Sequence, residues 1–376
     1  MSAHSLGAGS GLMLLSSATS LLLGELLCAI AAPHAFVQSD ILGRKPVERS
    51  PGSFLRLVHD RAAYPDLVPG SSGFQRLAGN YDCRWTIDRL GLRSPELSAI
   101  PPGAFRILAL GDSQTFGLGV AQNETFCARL QARLDAGGAR RLAVLNAGVP
   151  SYGTFEEAWK LERIGAEVRP DLVLVVVNAD NALVPDQGND LYNNLERLAQ
   201  GPGAAVKELD GPPTSDFLER HSHLYHRVRG LFRRLRREAS YATAVAAYRH
   251  EPANAAKLAR VWAATLTLLR GIEAEARRTS GARTVVVHLP GAASLEADDR
   301  SVASELRKSG LPVVSLFEAL QAARQADTRR ICFPNDGHYN AFAHARIALA
   351  LERELRAGGF VPAASGRNPP SDDATR

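Results

Sequence analysis

A chain of 376 residues exceeds one minimal domain and is long enough to bury a sizeable core. Its 45% hydrophobic and 22% charged residues are ordinary for a globular protein, and a net charge of +5 is too mild to mark a nucleic-acid binder. The four cysteines, at 28, 83, 127 and 332, include no CxxC pair, which excludes a thiolate zinc site and a disulfide-dense scaffold.

At the N-terminus, residues 1–33 read as a membrane anchor or uncleaved signal. Gly11 to Ala32 form an apolar run long enough at helical rise to cross a bilayer, with Glu25 its only charge. That carboxylate is costly at mid-membrane and less so near a helix end or facing a partner. Ala29 and Ala31 give the A-x-A pattern of a cleavable signal. The run is long for one, however, and no Lys or Arg precedes it, so an uncleaved anchor is expected. Arg44, Lys45 and Arg49 follow the run, and the positive-inside rule would keep the rest of the chain cytoplasmic.

Residues 34–103 are rich in Pro, Gly and short polar runs without a sustained period. Only Cys83 to Asp88 alternate like a short strand, before a turn at Gly91. This stretch reads as an extension packed on the main domain. From 105 onward strands alternate with helices. Strands are predicted over 105–110, 142–146, 171–177, 284–289 and 312–315, and helices over 124–136, 154–166, 253–279 and 339–357. Such alternation predicts an α/β fold: a three-layer α/β/α sandwich around a mainly parallel sheet of about five strands, flavodoxin-like in type. Residues 182–252 form an insertion of looser character, with turn signals at Gly201-Pro202-Gly203 and Gly211-Pro212-Pro213. The polar tail, 358–376, is expected to be disordered.

Within the insertion, Leu224, Val228, Leu231, Phe232 and Leu235 recur at helical spacing with Arg on the other face. A solvated helix covering the domain accounts for this pattern, and contact with a membrane surface or anionic polymer is the functional alternative. His221, His223 and His226 spell H-x-H-x-x-H, but 221 does not share a helix face with the other two. No carboxylate sits at ligand spacing either, so a metal is not expected. The Arg cluster lacks interleaved stacking aromatics, which argues against nucleic acid.

The chemistry gathers at strand ends. Phe105 to Leu110 run into Gly111-Asp112-Ser113, and a Gly-punctuated turn then opens a helix. Ser113 is therefore placed at the carboxyl end of a strand, where open α/β sheets bind their ligands. A hydroxyl is a weak nucleophile without a base to take its proton. The candidate base is His338, in Phe333-Pro334-Asn335-Asp336-Gly337-His338. Two further blocks follow predicted strands: Asn146-Ala147-Gly148-Val149-Pro150-Ser151, and Asn178-Ala179-Asp180-Asn181.

Together these four blocks resemble the SGNH (GDSL-type) hydrolase superfamily over about residues 104–357. The resemblance implies Ser113 as nucleophile and His338 as general base. Asp336 is implied as the orienting acid, because the outer Asp-x-x-His position holds Asn335 here. It implies an oxyanion site built from the backbone N–H of Ser113, that of Ser151 (where the family often has Gly), and one Asn side chain. Asn181 fits the family spacing from Pro170 better, with Asn178 the alternative. His344 reads as structural. The activity implied is that of a serine esterase or deacylase on an acyl ester, such as an O-acetylated glycan or lipid, with no metal or organic cofactor. An O-acyltransferase on an envelope polysaccharide would share the acyl-enzyme, and a non-catalytic carbohydrate-binding or assembly protein would share the fold. Trp85 to Arg93 and the apolar N-terminus with its Glu resemble the bacterial, membrane-anchored subgroup. That likeness implies a periplasmic or otherwise extracytoplasmic catalytic domain, against the orientation that the charges suggest.

Overall fold

The computed structural model describes residues 3–31, 55–60, 62–77, 80–135, 142–150, 152–178, 222, 224–225, 228, 252–291, 294–295, 300–326, 331–334 and 337–362. Its centre is a five-stranded parallel sheet of β5 (Phe105–Gly111), β6 (Leu142–Gly148), β7 (Leu172–Asn178), β8 (Arg283–Leu289) and β9 (Val313–Ser315), in the order β6-β5-β7-β8-β9. The order reverses at β5, so a crevice opens at its carboxyl end between the connections to either side.

The strands are apolar on both faces, as a sheet covered by helices requires. Leu108, Leu110, Val173, Val175 and Val286 pack beneath α4 (Thr154–Val168), α5 (Pro252–Ser280) and α6 (Ser301–Arg307). Ile107, Ala109, Leu174, Val176 and Val287 pack beneath α3 (Phe126–Asp135), α7 (Phe317–Ala326) and α8 (Ala341–Ala357). Side-chain caps trim two of the expected helices. Thr125 Oγ1 accepts the Ala128 N–H (3.2 Å) ahead of α3, and Asn340 Oδ1 accepts the Ala343 N–H (3.1 Å) to start α8.

The extension is more regular than its composition predicts. It carries two antiparallel hairpins, β1 (Leu55–Asp60) with β2 (Ala62–Leu67), and β3 (Ser72–Leu77) with β4 (Tyr81–Thr86). Pro65 and Gly73 inside six-residue strands mask their period, and Gly73 lies opposite Trp85, whose ring fills the space a Cβ would take. Leu67, Trp85 and Ile87 pack with Phe116, Leu118, Val149, Tyr152 and Trp159, so the extension meets the loops that follow β5 and β6. Beneath that contact Lys160 Nζ, wholly buried, donates to Asp66 Oδ1 (2.6 Å) and to the Gly91 carbonyl (3.1 Å).

The apolar N-terminal segment is helical, α1 (Ala3–Ala31). Among the described residues, however, no helix is long and apolar enough to cross a membrane. Glu25, the charge inside α1, faces the insertion: its Oε2 accepts the Ser222 hydroxyl (2.7 Å) and the Leu224 N–H (3.0 Å).

Candidate active site

Ser113 opens α2 (Ser113–Phe116), the single helical turn into which β5 runs. Asp112 caps that turn, its Oδ1 accepting the N–H of Gln114 (2.8 Å) and of Thr115 (3.4 Å). The turn lies so close to the sheet that its neighbours must be glycine. A Cβ on Gly111 would collide with the Thr115 side chain, and one on Gly148 with the Phe116 backbone nitrogen. Asn146, at 0% exposure, fixes the same turn from β6: its Nδ2 donates to the Thr115 carbonyl (2.9 Å) and its Oδ1 accepts from Gly148 N (3.0 Å).

His338 comes from a tight hairpin ahead of α8. Cys332 and Tyr339 bridge across it, and Phe333 N donates to the His338 carbonyl (3.0 Å). Its Nε2 stands 2.8 Å from Ser113 Oγ, bringing together two half-buried residues 225 positions apart. Asn178 is the last residue of β7, the strand beside β5. It is buried, and its Oδ1 has no hydrogen-bond partner among the described residues. Asp336, Asn335, Ser151 and Asn181 lie outside the described residues, as do His221, His223, His226 and most of the Arg-rich run.

Several residues at the site carry no signal in the motif blocks. Gln114 spans the neighbours of His338, its Oε1 accepting the Tyr339 N–H (3.0 Å) and its Nε2 donating to the Gly337 carbonyl (3.4 Å). Arg93, from the extension, donates to the carbonyls of Phe116 (3.0 Å), Gly117 (2.6 Å) and Val120 (2.7 Å) and stacks over the Phe116 ring. Burial lowers its guanidinium to about 10. Gln114 could have been singled out by adjacency to Ser113, whereas the Arg93 partners are too distant in sequence to read. Two carboxyls are buried behind the turn. Desolvation holds Asp112 above the usual carboxylate range, partly offset by the Gln114 N–H and by His338. Glu157, in the first turns of α4, is pushed well up by burial and by the charges of Asp112 and Glu156.

An Oγ in hydrogen-bond contact with an imidazole nitrogen, at the end of a central strand, is an arrangement for moving a hydroxyl proton. Residues 109–346 match the profile of the family described as GDSL-like lipase/acylhydrolase. No curated protein sequence matches the chain. Among solved structures, it is similar to the lipase/acylhydrolase from Enterococcus faecalis at 14% identity. The match covers 68% of this chain and 96% of that one, with a TM-score of 0.39. It is also similar to an acetylxylan esterase from Geobacillus stearothermophilus, at 12% identity over 68% of this chain and 96% of that one, with a TM-score of 0.38.

Proposed function

Because the chain belongs to the GDSL-like lipase/acylhydrolase family, we propose that it is a serine esterase or deacylase that cleaves an acyl ester through an acyl-enzyme on Ser113. The observation that supports this reading above all others is the 2.8 Å contact between Ser113 Oγ and His338 Nε2. His338 takes the hydroxyl proton as Oγ attacks the ester carbonyl, and returns it to the departing alkoxide as the carbon–oxygen bond breaks. Water, deprotonated by the same imidazole, then attacks the acyl carbon and releases the carboxylic acid and free Ser113. Asp336 orients His338 in this scheme. The developing oxyanion is met by the N–H groups of Ser113 and Ser151 and by the amide of Asn181 or Asn178.

The test is labelling of the full chain with a fluorophosphonate probe, alongside hydrolysis of a short-chain acyl ester. Wild type is expected to label and turn over, and Ser113→Ala to do neither. Folded wild-type protein that does neither would sink the esterase reading in favour of a binding protein on the same fold.

The proposal extends to location, against the finding that no described helix is long and apolar enough to cross a membrane: the N-terminal helix holds the protein at a membrane with the catalytic domain extracytoplasmic. Support comes from the apolar run Gly11 to Ala32 and from the exposure of Leu21, Leu22, Leu23, Leu26, Leu27 and Ile30 along it. Fractionation checks this. The chain is expected to stay with membranes through alkaline carbonate and to be cut by protease added outside the cytoplasmic membrane. Release into the soluble fraction would refute the anchor.

A further inference from the structure

Ser113 and His338 belong to elements that the chain brings together across most of the main domain, and a hydrogen bond between two such residues is only as well placed as their supports. Ser113 is positioned by Asp112 and by the glycine contacts of its turn. His338 lies on the hairpin arm that leads into α8, where residues 337 and 338 are not part of any helix or ladder. Besides the Ser113–His338 contact itself, the Gln114 side chain ties this arm to the turn. Gln114, only 6% exposed, directs its carboxamide across the gap, accepting from Tyr339 N and donating to the Gly337 carbonyl. The residues on both sides of His338 are therefore bound to the residue directly after Ser113.

From this geometry we infer that Gln114 is a positioning residue for His338: its carboxamide sets the approach of the imidazole to Ser113 Oγ. This rests on the esterase reading for its kinetic consequence, though not for its structural one. An amide suits the task because it offers one acceptor and one donor from a single planar group, matching one N–H and one carbonyl on the hairpin. The acceptor side is the better formed, at 3.0 Å against 3.4 Å. Glutamate in its place retains the bond from Tyr339 N and loses the donor, and leucine loses both. The hairpin keeps other supports without Gln114. These are the Cys332–Tyr339 bridge, the bond from Phe333 N to the His338 carbonyl, and the Tyr339 hydroxyl on the Pro290 carbonyl. Loss of Gln114 should therefore loosen the imidazole without releasing the hairpin.

The experiment compares wild type with Gln114→Leu and Gln114→Glu by ester hydrolysis and by the ring-proton NMR signals of His338. Positioning predicts that Gln114→Leu lowers kcat by about 10- to 100-fold, a part of what general base catalysis contributes. KM should stay within about twofold, as expected when an interaction acts mainly in the transition state. Gln114→Glu should recover part of the rate. The His338 signals should broaden or split in the Leu variant and sharpen again in the Glu variant. A Leu variant with unchanged kcat and lowered thermal stability would make Gln114 merely structural and overturn the inference. Should the Leu variant not fold, the Glu variant alone decides: full activity with unaltered His338 signals overturns it. Inactive wild-type protein in which the His338 signals still respond to Gln114 would refute the esterase reading and leave the clamp standing.

Discussion

At the scale of single residues, two histidines close in sequence sit in opposite environments. His338 is half-buried against Ser113, while His344, in the first turn of α8, is 1% exposed and stacks on Phe126. His344 Nδ1 accepts the Phe126 N–H (3.0 Å), so the ring must be neutral on that nitrogen. Burial, with the charges of Arg93 and Arg129 adding to it, drives its pKa from 6.5 down to about 3. A histidine that is harder to protonate folded than unfolded contributes stability that is complete above the unfolded value. That stability is lost as pH falls from 6.5 towards 3, at up to about 1.4 kcal/mol per pH unit. Thermal melts at pH 7, 5 and 4 should show a steep decline for wild type and a shallower one for His344→Gln, whose amide oxygen keeps an acceptor but does not titrate. Parallel declines would remove His344 as the source.

At the scale of elements, the turn bearing Ser113 is held from outside the main domain. Asp88 Oδ1 accepts the N–H groups of Leu90 and Leu92 (2.8 Å each), which folds the chain so that Arg93 enters the core. The Arg93 guanidinium then satisfies the carbonyl that ends α2 and two of the loop after it, and its Nε reaches Gln122 Oε1 (3.1 Å). Lysine carries the charge but not the planar fork, and cannot serve these acceptors together. Arg93→Lys should lower the unfolding free energy by about 2–4 kcal/mol, read from the urea midpoint. It should also slow fluorophosphonate labelling of Ser113. Loss of stability with an unchanged labelling rate would confine Arg93 to a structural role.

At the scale of the whole molecule, the sheet was the most legible part of the sequence. Apolar strands such as Leu172–Asn178 alternate with amphipathic helices, and this pattern needs no tertiary knowledge to be read. Ser113 and His338 were legible because short motifs carry them, one at a strand end and one ahead of a helix. Of the hairpins at 55–86 only the strand around Cys83 was legible, since a Gly73 facing Trp85 looks like a turn until its partner strand is known. Helices α6 and α7 also escaped, α6 being only 7 residues long. Gln114 and Arg93 were hidden for another reason: most of their hydrogen-bond partners are backbone atoms, and backbone leaves no mark on sequence.

The sheet topology also sets an order of events. Every strand up to β7, together with the turn bearing Ser113, precedes residue 179, whereas the His338 hairpin follows residue 330. Domains tend to fold from the N-terminal side as the chain emerges during synthesis. A nascent chain can therefore assemble the proposed nucleophile's half of the sheet well before the proposed base exists. Until the last stretch is made and docked, such an intermediate would hold a finished serine turn that is chemically silent. Activity would switch on only once the His338 hairpin has been made and docked against the serine turn.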